Sequence, residues 1–188
     1  ESNRSLIARI ADINFAPTMQ AVFNLEQEGA KNIHLVGNTI VDAVNHFRKK
    51  MAWTPKLSNK VLVTLHRREN HVFMDQLFDE VRNIAVANTD LEFILPLHPN
   101  PHVQEHRGRL HAANIRIVKP LGYPEMLELI NEVCFIITDS GGLQEEATCF
   151  NKKVLVARDK TERPEIIDIG LGRLVGKVIN ESIPWARV

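Results

Sequence analysis

Apolar positions along this chain come in short runs that stop at polar residues, and each run is followed by apolar residues at helical spacing. "VLVTLH" (61–66) precedes "FMDQLFDEVRNIAVA" (73–87), in which Phe73, Leu77, Val81 and Ile84 recur on one helical face. "EFILPLH" (92–98) leads into "PNPHVQEHRGRL" (99–110), whose prolines suit a loop and the first turn of a helix. "IRIVKP" (115–120) precedes "YPEMLELINEV" (123–133), "CFIITDS" (134–140) precedes "GGLQEEATCF" (141–150), and "KVLVARD" (153–159) precedes "TERPEIIDIG" (161–170). Strands apolar on both faces, alternating with helices, predict a parallel sheet covered by helices. Residues 58–188 therefore read as one doubly wound α/β domain.

The first part of the chain reads differently. "INFAPTMQAVFNLEQEGA" (13–30) predicts a strand, a Thr-capped helix and a glycine stop, and "NIHLVGNTIVDAVNHF" (32–47) predicts a second strand–helix unit. Two such units cannot close a sheet alone. Residues 1–35 are expected to be the tail and hinge of a preceding domain, and 36–57 a strand–helix connector and linker. The chain opens on Glu rather than Met, in mid-pattern, so it is expected to be a fragment.

Composition removes several classes of function. The 23 Lys and Arg balance the 23 Asp and Glu among 188 residues, which leaves no electrostatic basis for binding nucleic acid or an anionic membrane. No apolar run approaches the ~20 residues that cross a bilayer. Cys134 and Cys149 lack metal or redox spacing and read as reduced thiols of a cytoplasmic protein.

Ligands of an open parallel sheet bind at the carboxyl ends of its strands. His66, His98, Asp139, Ser140 and Arg158 are all expected at that rim. "SGG" (140–142) opening a helix offers free N–H groups and the positive end of a helix dipole, a phosphate-binding combination that also occurs as a plain capped turn. Gln144, Glu145 and Glu146 are expected in the first turn of that helix, where one carboxylate can accept from ribose hydroxyls. His66 in "LHRREN" (65–70) is placed to donate to a phosphate. Arg163, held off helical geometry by Pro164, can aim a guanidinium at an anion. The competing reading is a salt-bridge knot among Arg158, Asp159, Glu162 and Arg163. His102 and His106 stand four apart on one predicted helix, but His98 is separated from them by prolines, so no metal site is expected.

"TLHRREN", "LPLHPNP", "TDSGGLQEEA" and "RDKTERPE", in that order, resemble the non-hydrolysing UDP-N-acetylglucosamine 2-epimerases, as do "ESNR", "FAPT" and "VGNTIVDAV". The resemblance runs from Glu1 to about Gly176 and fades in "INESIPWARV" (179–188). It implies a glycosyltransferase-B-type fold whose Rossmann-like C-terminal domain holds UDP, and interconversion of UDP-GlcNAc and UDP-ManNAc by elimination and re-addition of UDP, with no cofactor. Implied roles are the diphosphate for Ser140, Gly141 and Gly142, the ribose for Glu146, and the uracil segment for the loop of Tyr123. His66 and Arg163 are implied as catalytic, with His98 near the sugar and Arg4 reaching in from the hinge. The family's proton-transfer carboxylates lie mainly ahead of Glu1, so this chain is expected to bind UDP and turn over little, and the full-length protein to form a homodimer. A glycosyltransferase of the same fold, a hydrolysing epimerase and a non-catalytic nucleotide-sugar-binding domain are the alternatives.

Overall fold

The computed structural model of the chain describes residues 2–54, 56 and 58–187. Pro55 and Leu57 of the expected linker, and the terminal Glu1 and Val188, lie outside the described residues. The chain divides into two compact units, Glu1–His46 and Phe47–Val188.

The first unit contains α1 (Ser2–Ile10), β1 (Asn14–Ala16), α2 (Met19–Gln27), β2 (Ile33–Leu35) and the start of α3 (Thr39–Met51). β1 and β2 pair in parallel, Asn14 opposite Ile33. Thr18 caps α2 by accepting from the Ala21 N–H at 3.2 Å, as its position before the apolar repeat predicts. Gly29 follows the helix at φ 76°, a conformation that only glycine adopts without strain. The buried Asn14 amide donates to Ala8 O and Lys31 O, tying α1 to the turn before β2. Helix α1 was not expected from the sequence, and its Leu6, Ile7 and Ile10 are exposed.

In the second unit come β3 (Lys60–Thr64), a 3₁₀ turn (Arg68–Phe73), α4 (Met74–Ala87), β4 (Glu92–Pro96), α5 (Pro101–Gln104) and β5 (Ile115–Val118). They are followed by α6 (Tyr123–Glu132), β6 (Phe135–Thr138), α7 (Gly141–Cys149), β7 (Lys153–Val156), α8 (Pro164–Asp168), β8 (Gly172–Leu174) and α9 (Ile183–Ala186). Among the described residues the sheet has six strands in the order β5-β4-β3-β6-β7-β8, all parallel. Counted within the unit this is 3-2-1-4-5-6, the Rossmann order, with helices on both faces. Val61, Val63, Phe93, Leu95, Phe135, Ile137 and Leu155 from the central strands pack with Leu77, Phe78, Val81 and Ile84 of α4. Each such side chain, fully buried, contributes ~1.5–3 kcal/mol.

Two expectations need correction. The edge strand β5 is not apolar on both faces: Arg116 is exposed, because the helices that cover the centre of the sheet leave its outermost strand part-exposed. The helix expected over 99–110 is the four-residue α5 followed by a separate 3₁₀ turn, Arg107–Arg109. His106 lies outside α5, so His102 and His106 do not share a helix face.

Candidate functional site

The strand order reverses between β3 and β6, and in open parallel sheets ligands bind at the carboxyl ends of the strands at such a switch point. The last register pair there is Thr64 with Thr138, whose hydroxyls lie 2.7 Å apart. Immediately beyond them the chain places His66 on one side and Asp139 and Ser140 on the other.

Asp139 is fully buried and does not present its carboxylate to a ligand. Its Oδ2 accepts from the N–H of His66 at 3.0 Å, the N–H of Arg67 at 2.9 Å and the Asn70 side-chain amide at 2.9 Å. Asn70 donates also to Ala157 O at 3.1 Å, so it ties the loop after β3 to the end of β7. A buried carboxylate with three donors is stable where an unpaired one is not. The group that the sequence places at the rim therefore anchors the loop that carries His66. Asn70 has no signal in the sequence beyond its place in "HRREN".

His66 stacks on His98 with ring centroids 4.9 Å apart and planes 10° apart, so independent strands bring these two predicted residues together. Burial lowers the His66 pKa, the Asp139 carboxylate opposes that, and His98 reinforces it. His98 Nδ1 accepts from the Asn100 N–H at 3.1 Å, which leaves the proton of the neutral ring on Nε2.

Ser140 is the N-cap residue of α7, yet its hydroxyl makes no capping bond to the helix. Its own N–H is used, donating to Thr138 Oγ1 at 2.9 Å. The amides of Gly141 and Gly142 precede any intrahelical acceptor. Neither glycine has a positive φ, so backbone geometry does not require glycine at either position. A Cβ on Gly142 would meet nothing within 4 Å, and one on Gly141 would meet only Glu162 Oε2 at 4.0 Å. Packing does not explain the missing side chains, and the bare amides leave room for an anion to approach closely.

Glu146 lies in the second turn of α7, as does Glu145, and the first turn contains no acid, which corrects the expected register. Glu146 is buried, and burial pushes its pKa up to about 7, aided by the Glu145 charge and opposed by a hydrogen bond from Tyr123. Tyr123, at the start of α6, meets the edge of the Phe47 ring at 5.6 Å. The structure thus joins two more of the predicted residues, Tyr123 and Glu146.

Arg158 is buried and engaged rather than aimed at a ligand. Its guanidinium pairs with Glu69 at 2.5 Å and with Glu162 at 2.8 Å, and Arg67 reaches Glu162 at 3.2 Å. The Arg158 hydrogen bonds hold the Glu162 carboxyl down at about 2. A salt-bridge network is therefore present, but its members are Arg67, Glu69, Arg158 and Glu162. Arg163 stands apart from it: at φ −125° and ψ 65° it is non-helical before Pro164, and it forms an ion pair with Glu145. Two residues outside the predicted set, Gln144 and Thr161, join the start of α7 to this loop. The Thr161 hydroxyl donates to Gln144 Oε1 at 2.7 Å. Arg4 belongs to the first unit, where it pairs with Glu28 on the residue after α2. A cleft of about 590 Å³ is lined by Glu69, Arg158 and Glu162 of this network together with Phe73, Lys160 and Lys177; of the residues expected at the rim it includes Arg158, and it includes none of His66, His98, Ser140, Glu146 and Arg163.

Residues 1–183 match the protein family described as UDP-N-acetylglucosamine 2-epimerase, beyond Gly176 where the resemblance fades to the eye. A curated relative from Salmonella borreze named UDP-N-acetylglucosamine 2-epimerase is 40% identical over 97% of this chain and 53% of its own length. The chain spans about half the length of the curated relatives it matches. Among solved structures, the UDP-GlcNAc 2-epimerase of Neisseria meningitidis bound to UDP-GlcNAc is similar with a TM-score of 0.87 and 32% identity, over 98% of this chain and 55% of that one. The Methanocaldococcus jannaschii UDP-GlcNAc 2-epimerase in complex with UDP-GlcNAc and UDP aligns with a TM-score of 0.84 and 31% identity, over 100% and 57%.

Proposed function

Because the chain belongs to the UDP-N-acetylglucosamine 2-epimerase family, we propose that its second unit holds the UDP part of a UDP-N-acetylhexosamine at the rim between β3 and β6. The observation that carries this reading is the start of α7, where two glycines without a packing role leave amides and the Ser140 hydroxyl open. Ser140, Gly141 and Gly142 take the diphosphate. Glu146 accepts from the ribose hydroxyls in the second turn, a spacing that keeps its charge away from the phosphates. The loop bearing Tyr123 borders the uracil. His66, His98, Arg163 and Arg4 serve the phosphate and sugar end. The UDP-binding domain is taken as 58–188, with 1–35 and 36–57 as hinge and connector.

The reaction proposed for a protein of the relatives' full length is epimerisation at C2. A general base of the full-length protein takes the C2 proton, and the C2–H electrons form the C1–C2 double bond as the C1–O bond breaks. UDP departs with the C1–O electrons, and a glycal remains. UDP then adds back at C1 while C2 takes a proton on the opposite face. Departure places developing charge on the β-phosphate, and donors fixed beforehand stabilise it, each worth ~3 kcal/mol of barrier. His66 and Arg163 are the side chains proposed for that work. The two free cysteines suit a cytoplasmic setting. A homodimer of the full-length protein remains part of the proposal.

Calorimetric titration of the chain with UDP, UDP-GlcNAc and ADP tests the reading. Binding of both uridine compounds and loss of binding with ADP is the expected result. Absence of heat with all three removes it.

A further inference from the structure

Gln144 is fully buried in α7, where a helix gains nothing from an amide unless both ends are satisfied. Both are. The Arg163 N–H donates to Thr161 Oγ1 at 3.1 Å, the Thr161 hydroxyl donates to Gln144 Oε1 at 2.7 Å, and Gln144 Nε2 donates to Ser140 O at 3.1 Å. The direction of the chain is set by chemistry. Turning the amide over would put Gln144 Oε1 against the Ser140 carbonyl, two acceptors with no proton between them. Three donors therefore point the same way, from Arg163 to Ser140.

The terminal acceptor matters, because the Ser140 carbonyl and the Gly141 N–H are two ends of one peptide group. A hydrogen bond received at the oxygen draws electron density from the nitrogen and strengthens the N–H as a donor. We propose that Gln144 and Thr161 form a relay that sharpens and orients the Gly141 amide for a phosphate and ties it to the backbone of Arg163. This assignment rests on the diphosphate reading of the α7 start. It makes Gln144 and Thr161 positioning residues: neither needs to touch the ligand. It also accounts for a buried glutamine whose partner is 17 residues away.

The test compares UDP with uridine, which keeps the base and ribose contacts and lacks the phosphates, on the whole 188-residue chain by calorimetry. Gln144→Leu should weaken UDP about tenfold and leave uridine within about twofold, the scale of a charge-assisted hydrogen bond. Thr161→Val, on a loop where exchange spares the core, should weaken UDP about fivefold, and Thr161→Ser should restore it. If both Gln144→Leu and Thr161→Val keep the wild-type preference for UDP, or lose UDP and uridine equally, the relay is overturned while the site stands. If the wild-type chain itself does not prefer UDP over uridine, the diphosphate reading fails, and the relay with it.

Discussion

Glu146 combines burial, an elevated pKa of about 7 and a hydrogen bond from Tyr123. Ribose hydroxyls donate best to the ionised carboxylate, so binding must drive off the proton that the empty site holds below about pH 7. Uridine affinity should therefore fall about tenfold from pH 8 to pH 6, and Glu146→Gln should flatten that profile at lower affinity. Uridine is the right probe because it carries no phosphate to titrate. The same shift acts on stability with the opposite sense. A folded-state pKa raised from 4.5 to about 7 stabilises the fold below 4.5, and that stabilisation is lost as pH rises through about 7. Thermal denaturation across this range should show the decline in wild type and lose it in Glu146→Gln. At this scale the sequence was readable where chemistry is local: Ser140, Gly141, Gly142 and Glu146 lie within one short motif. The roles of Asn70, Gln144 and Thr161 were not readable, because they depend on pairs that no periodicity marks: Asn70 with Asp139, 69 positions away, and Gln144 with Thr161, 17 positions away. Asp139 was placed at the rim correctly, but its anchoring role was not readable, since a carboxylate at a strand end looks the same whether it faces a ligand or a loop.

Strands β3, β4, β6 and β7 were legible because burial on both faces makes continuous apolar runs, and the polar residue ending each run marks the rim. β8 was not. It is three residues long, half exposed at the sheet edge, and defined by packing that the sequence does not display. Gly172 lies under α8, where a Cβ would come within 2.8 Å of Ile166 Cγ2 and 3.0 Å of Ile167 Cδ1. Ile166 is β-branched and buried, so it cannot swing away cheaply. Gly172→Ala should cost ~1–3 kcal/mol by overpacking, read as a lower midpoint in urea with an unchanged slope. The strain falls on the helix that begins just after Arg163, so an indifferent Gly172→Ala would mean that α8 is not held against β8 as tightly as the contacts imply. The broken helix after β4 teaches a related lesson. Pro99 and Pro101 signal a helix start correctly, but nothing local reports that it ends after Gln104.

The two units differ in what holds each together. The second has a six-stranded sheet among its described residues, covered on both faces and centred on β3 and β6. The first has two strands of three residues each, a few polar clasps such as those of Asn14, Asn32 and the Arg4–Glu28 pair, and exposed Leu6, Ile7, Ile10, Phe15 and Phe23. An isolated pair of strands is marginal in water, since it orders backbone without burying enough apolar surface to offset the entropy lost. Local stability should follow, and hydrogen exchange reads it directly. Amides of β1 and β2 should exchange at least ~100-fold faster than those of β3, β6 and β7, whose opening requires loss of the sheet centre. UDP should then slow exchange around 140–146 and 158–163, where the relay joins the start of α7 to Arg163, and leave β1 and β2 unchanged. Equal protection in both units would show that the first is held by more than its own contacts, and unchanged exchange at 140–146 under saturating UDP would remove the nucleotide from the rim between β3 and β6.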